Sequence, residues 1–222
     1  MTVQRIAILG AESTGKSWLA LELATRLQAY GLAACSVPEH LRIWCEREGR
    51  TPMAHEQCAI AQAQARSVLA QDAPVVIADT TALMTAVYSL YLFGDDSLLP
   101  FALAHQRLYT HTLVTALDLP WVADGLQRDG PQVREPVDRL IRQHLLANGI
   151  AHSVVHGQGL QRLDNALLAL GWPQYTGETV QSGARLENRP LWACEKCSDP
   201  DCEHRLFTTL LQRPTDPADN PS

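Results

Sequence analysis

No apolar run in these 222 residues approaches the 18 or so needed to span a bilayer as a helix, so no membrane partner is expected. The start, "MTVQRIAILG", lacks the basic-then-apolar layout of a secretory leader and reads straight into a strand. A cytoplasmic location is expected on that ground. Positive charge is also scarce: the formal net charge is −6. That argues against a bulk nucleic-acid or membrane-surface binder and suits an enzyme whose positive charge is confined to one anion site. No internal repeat is visible. In a reducing compartment the six cysteines are thiols or metal ligands rather than disulfides.

What is present begins at "GAESTGKS", residues 10–17, between the apolar run "IAILG" and "WLALELATRL". Gly10, Gly15, Lys16 and Ser17 fit the phosphate-loop pattern G-x-x-x-x-G-K-[ST]. Glycines let the backbone curl with its N–H groups inward, and the following helix turns its positive end to the same anion. The nucleotide-binding set expected is Gly10, Glu12, Ser13, Thr14, Gly15, Lys16, Ser17 and Trp18. Lys16 reaches the β- and γ-phosphates, and Ser17 ligates Mg²⁺. The alternative is a glycine-containing turn that binds nothing.

The rest of the chain alternates. Strands are expected at 3–9, 32–38, 74–81, 111–117 and 150–157; helices at 16–30, 39–48, from Pro52 to about 71, 82–93, about 136–148 and 160–170. The pattern implies an α/β three-layer sandwich around a central five-stranded parallel sheet, with ligands at the carboxyl ends of the strands. The expected division is a core domain at 1–172, a linker at 173–192, a metal-binding appendage at 193–211 and a disordered Pro/Asp-rich tail at 212–222.

Asp79 ends the apolar strand "PVVIADTT". A carboxylate there holds Mg²⁺ beside a phosphate loop, or it merely caps the next helix. In "VPEHLRIW", Glu39 follows the second strand and can take the proton of a substrate hydroxyl. Arg42, one turn on, can clamp substrate or phosphate. The alternative is an intrahelical ion pair. The loop "WVADGLQRDGPQVREP", 121–136, carries Arg128 and Arg134 and is long for a compact domain. It reads as a cover that excludes water, or as a solvated charged loop. No N/T-K-x-D guanine-reading element and no L-S-G-G-Q transporter signature occurs.

"GAESTGKS", "VPEHLR", "VVIADTTALMTAVYSLYLFGD" and "WVADGLQRDG" together resemble the nicotinamide-riboside kinase domain of NadR-type proteins, over roughly residues 3–172. The resemblance implies a P-loop nucleoside-kinase-like fold. It also implies transfer of phosphate from ATP·Mg to the 5′-hydroxyl of nicotinamide riboside. By match, Gly15, Lys16 and Ser17 hold ATP and Mg²⁺, and Asp79 is the metal-side acid. Glu39 and Arg42 face the riboside, with Thr80, Trp121, Asp124 and the loop arginines bordering it. The family pattern reads D-G-L-R where this chain has Gln127, so Arg128 or Arg134 would substitute. The H-x-G-H of the adenylyltransferase half is missing.

"CEKCSDPDCEH" places Cys194, Cys197, Cys202 and His204 within eleven residues. Three thiolates and an imidazole are the closed set for structural Zn²⁺; the alternatives are a metal-free tail or a redox pair. Such an element could support a homo-oligomer or a protein partner. Cys35, Cys45 and Cys58 stand singly and are expected in the core. Two function classes remain: a small-molecule kinase, and a nucleotide-dependent regulator acting through the zinc element.

Overall fold

The computed structural model describes residues 3–122 and 131–172. The chain divides into two units, 1–176 and 177–222, and every described residue lies in the first. The zinc set Cys194, Cys197, Cys202 and His204 therefore lies outside the described residues, as do Asp124, Gln127 and Arg128. Among the described residues, no group of three or more His, Cys, Asp or Glu side chains could hold a metal ion. None of their helices is long and apolar enough to cross a membrane.

Five strands form the sheet: β1 (Gln4–Leu9), β2 (Ala34–Val37), β3 (Val75–Asp79), β4 (His111–Thr115) and β5 (Ser153–Val155). They are parallel, in the order β2-β3-β1-β4-β5. The helices are α1 (Lys16–Ala29), α2 (His40–Glu48), α3 (Gln57–Leu69), α4 (Ala82–Phe93), α5 (Leu99–Gln106), α6 (Arg134–Ala147) and α7 (Gly159–Ala169).

Central strands of a parallel sheet are buried on both faces, so their apolar runs divide residue by residue between two layers. Ile6 and Ile8 of β1, Val75 and Ile77 of β3, and Leu113 of β4 pack with Leu19, Leu23 and Leu27 of α1 and Leu163 and Leu167 of α7. On the opposite face Leu9 and Val114 meet α4, α5 and α6, while Ala7, Val76 and Ala78 meet Val37, Val68 and Tyr109.

Two expectations need correction. Cys58 is exposed, whereas Cys45 is buried and Cys35 is intermediate. The buried stripe of α3 runs through Gln57, Ile60, Ala61, Gln64, Ala65 and Val68, and Cys58 falls off that stripe. Arg134 is not on a loop. A 3₁₀ turn, Pro131–Val133, leads into α6, of which Arg134 is the first residue, and Arg134 is buried.

Candidate active site

The parallel registers place the site before any side chain is considered. Ile8 stands opposite Asp79, and Leu9 opposite Val114, so the loop after Leu9 opens between the ends of β3 and β4. Val37 stands opposite Ala78, which puts Glu39 level with Thr80 across the top of the sheet. The order β2-β3-β1-β4-β5 makes this the crevice where connections leave in opposite directions, the ligand position of open α/β sheets.

The loop itself is tightly constrained. Gly10 has φ +152°, and a Cβ there would sit 2.0 Å from Thr115 Oγ1. Only glycine permits that approach. The Thr115 hydroxyl bonds the Thr14 hydroxyl at 2.6 Å and lies 3.2 Å from the Leu9 carbonyl. Thr14 Oγ1 donates in turn to the Ala11 carbonyl at 2.8 Å. Gly15 is left-handed at φ +72°, immediately before α1. Ser13 has φ +53°, and its hydroxyl is held from both sides by Val122: it donates to the carbonyl at 2.9 Å and accepts the N–H at 3.2 Å. Lys16 Nζ donates to the Ala11 carbonyl at 2.8 Å, folded along the loop from which it would reach a phosphate. Trp18 packs against the α1/α7 core. Glu12 is buried and accepts a long bond from the Tyr88 hydroxyl at 3.5 Å.

Beside the loop, Asp79 is buried. Burial, and secondarily the charge of Glu39, push its carboxyl up to about 6; a hydrogen bond from Ser17 and the charges of Lys16 and Arg42 oppose them. Those influences show that Lys16, Ser17, Glu39, Arg42 and Asp79 share one electrostatic neighbourhood. Asp79 Oδ1 is buried without a hydrogen-bond partner among the described residues. A buried oxygen of that kind calls for a ligand, commonly a cation or water. With the Ser17 hydroxyl it makes the donor pair that Mg²⁺ takes in phosphate loops, so the residues present fit ATP·Mg²⁺.

Glu39 stands at the N-terminus of α2, 3.5 Å from Arg42 Nη2. The buried Gln64 ties the two neighbouring strand ends together. It accepts from the His40 N–H at 2.6 Å and donates to the Thr80 carbonyl at 3.4 Å. Thr80 has φ +64°, a costly conformation for a β-branched residue and one that clusters at functional sites.

On the far side, Trp121 is part-exposed, and its Nε1 is buried without a partner among the described residues. Arg134 Nη2 donates to the Leu119 carbonyl at 2.8 Å, which anchors the segment that follows β4. Thr115, Gln64, Asp118 and Arg162 escaped the sequence reading. A signal existed for Arg162: it shares the buried stripe of α7 with Leu163, Ala166 and Leu167.

A family profile described as an AAA domain matches residues 5–162. The chain belongs to that family. No curated protein sequence matches it. Among solved structures it is similar to NadR protein in complex with NAD and AMP-PNP, and to NadR in complex with NR. Each has 17% identity and a TM-score of 0.59, covering 78% of this chain and 51% of the other. The chain thus spans about half the length of those NadR chains. It is also similar to deoxyadenosine kinase from M. mycoides with bound dCTP, at 13% identity and a TM-score of 0.51, covering 76% of this chain and 99% of that one. At these identities the likeness concerns the fold: this AAA-family chain has the fold shared by NadR and a deoxynucleoside kinase.

Proposed function

We propose that this AAA-family protein is an ATP-dependent kinase that phosphorylates the 5′-hydroxyl of nicotinamide riboside to give nicotinamide mononucleotide. The observation that carries the reading is the opposition, across the sheet top, of two kinds of group. Lys16, Ser17 and Asp79 are suited to a nucleoside triphosphate, and the carboxylate–guanidinium pair of Glu39 and Arg42 is suited to a polar acceptor. The NadR structure with NR supports the choice of riboside, as do the sequence stretches shared with that family.

In this reading the phosphate loop and Lys16 bind the triphosphate. When bound, Mg²⁺ neutralises charge on the phosphates and keeps Asp79 ionised. Glu39 accepts the proton of the acceptor hydroxyl. The hydroxyl oxygen forms a bond to the γ-phosphorus as the bond from that phosphorus to the β–γ bridging oxygen breaks, and ADP leaves. Arg42, Thr80 and Trp121 orient the nucleoside. Asp124 and Arg128, on sequence grounds alone, belong to the segment that excludes water. The set Cys194, Cys197, Cys202 and His204 binds one structural Zn²⁺ by its ligand count and spacing, outside the kinase core.

The test is mass spectrometry of a reaction with ATP and nicotinamide riboside beside a panel of other nucleosides. Nicotinamide mononucleotide is the expected product. Phosphorylation of another nucleoside alone would overturn the riboside assignment. ATP turnover that no small molecule stimulates would overturn the kinase.

A further inference from the structure

Arg162 lies on α7, a helix that contributes none of the nucleotide-binding pattern. Its side chain is 1% exposed. Three acceptors from three segments converge on it. Nη1 donates to the Thr14 carbonyl of the phosphate loop at 2.7 Å, and Nε donates to the Gly157 carbonyl after β5 at 2.7 Å. Nη2 donates to Asp118 Oδ1, after β4. The other Asp118 oxygen accepts the Gly157 N–H at 2.6 Å. The guanidinium is thus neutralised by Asp118 and fixed in plane.

The bond to Thr14 has a stereochemical consequence. No peptide bond in the described chain is cis, and in a trans peptide the C=O and the following N–H point in opposite directions. Holding the Thr14 carbonyl outward toward Arg162 therefore turns the Gly15 N–H the opposite way, into the loop. Gly15, at φ +72°, has no Cβ to resist a flip of that peptide. A flipped peptide would present a carbonyl, and so a negative dipole, to the bound phosphate. In the native protein that restraint comes from Arg162 and not from solvent, because its buried side chain fills the position behind the loop.

We propose that Arg162, oriented by Asp118, is a positioning residue for the phosphate loop that locks the Thr14–Gly15 peptide with its N–H toward the triphosphate. The proposal deepens the phosphate-loop reading on which the proposed function rests. It does not depend on the identity of the acceptor. Because Asp118 cancels the charge, the role is geometric, and Arg162→Lys should fail to rescue it. An ammonium donates from one point and cannot reproduce three bonds in a planar fork.

The experiment measures Mg·ATP and inorganic tripolyphosphate binding by calorimetry, without any acceptor, on the full chain. The samples are the wild type, Arg162→Lys, Asp118→Asn and the core truncation Leu167→Ala. Thermal unfolding is recorded alongside. Loss of a charge-assisted bond that orders the loop should weaken both ligands roughly 10- to 100-fold in Arg162→Lys. Asp118→Asn should move in the same direction and decides the matter if Arg162→Lys does not fold. Leu167 lies in the same helix and is fully buried; its truncation should lower thermal stability and leave both affinities unchanged.

Wild-type affinity in a folded Arg162→Lys or Asp118→Asn variant would overturn the proposal. So would equal weakening in Leu167→Ala, or failure of the wild type to bind either probe. If the binding differences appear while no nucleoside is phosphorylated, the kinase reading falls and the positioning role stands. In an active enzyme the KM for ATP should rise with the acceptor KM constant within about twofold.

Discussion

Replacing Asp79 by Asn should make the folded protein more stable at pH 8 and less able to use Mg·ATP. The carboxyl sits 5% exposed at the end of β3, and burial together with the neighbouring Glu39 pushes it up to about 6. An aspartate in the unfolded chain titrates near 3.9. Above pH 6 the native state therefore holds a charge it disfavours. Holding that charge costs roughly 3 kcal/mol of stability, fully present above the folded pKa and relieved as pH falls through 6 toward 4. Asn removes the charge and keeps an oxygen to accept from Ser17. For a chain of this size 1 kcal/mol moves Tm by roughly 2–4 °C. The variant should then gain up to about 6–12 °C at pH 8, keep about half of that at pH 5 and lose it toward pH 4. The assay is thermal unfolding of both proteins across pH 4–8, with and without Mg·ATP. Added Mg·ATP should raise the wild-type Tm more than the variant's, because the cation returns the countercharge that burial withholds. A Tm difference independent of pH, or an Asn variant less stable at pH 8, would refute the reasoning. Glu39→Gln should displace the crossover to lower pH, since Glu39 is one of the two influences raising Asp79.

Glu39→Gln should also lower kcat by about 10²–10⁴-fold while leaving ATP affinity near wild type, and Lys16→Ala should damage both; steady-state kinetics and calorimetry separate the two. Gly10→Ala should destabilise by about 1–3 kcal/mol, as overpacking does, because the new methyl meets Thr115 Oγ1 at 2.0 Å. Thermal unfolding should show partial recovery when Thr115→Ala is added, and no recovery would place the strain elsewhere. Protein prepared without chelator should carry about one zinc per chain. Cys197→Ser should lose the zinc by metal analysis and still bind ATP; zinc-free wild-type protein would rule the site out.

The strand-helix alternation was readable because the central strands are buried on both faces and their apolar runs are unbroken. The helix over 82–93 matches α4 residue for residue. Helix α5, Leu99–Gln106, was not legible: Pro100 stands in its first turn, where proline is tolerated, yet from sequence it reads as a breaker. Pro131 and Pro136 likewise hid the 3₁₀ turn and the start of α6, and so the burial of Arg134. In the site, the contiguous motif from Gly10 to Ser17 carries its own geometry. Its supports do not. Thr115 bonds Thr14 across a separation of 101 residues and Arg162 bonds Thr14 across 148. Such pairings come from the sheet order, which local pattern does not encode.

The distribution of backbone strain shows how the two halves of the site are held. Among the described residues only two non-glycines have positive φ, Ser13 and Thr80. One lies in the phosphate loop and the other follows Asp79. A residue in this region costs about 1–3 kcal/mol and persists only where its surroundings over-determine it. Ser13 is fixed by two bonds with Val122. Thr80 is fixed by its N–H to the Ile8 carbonyl at 3.1 Å and by Gln64 on its carbonyl. The turn at Thr80 does two things at once. It ends β3 with Asp79 still in register beside the loop, and it brings Thr81 to the cap of α4, where the hydroxyl accepts the Leu83 N–H at 3.2 Å. The carboxylate is therefore positioned by backbone on both sides and by the Ser17 hydroxyl, and it makes no salt bridge among the described residues. A carboxylate held in that way stays in place whether or not a cation is bound, and one paired to a lysine or arginine would have to exchange partners first. The same Gln64 that steadies Thr80 also holds the backbone at His40, the residue after Glu39. One buried amide thus bridges the backbone beside Glu39 to the backbone beside Asp79. In the proposed kinase, changes to Gln64 should consequently act on kcat before they act on ATP affinity, because Thr115 and Arg162, which hold the phosphate loop, lie on the β4 and β5 side of β1.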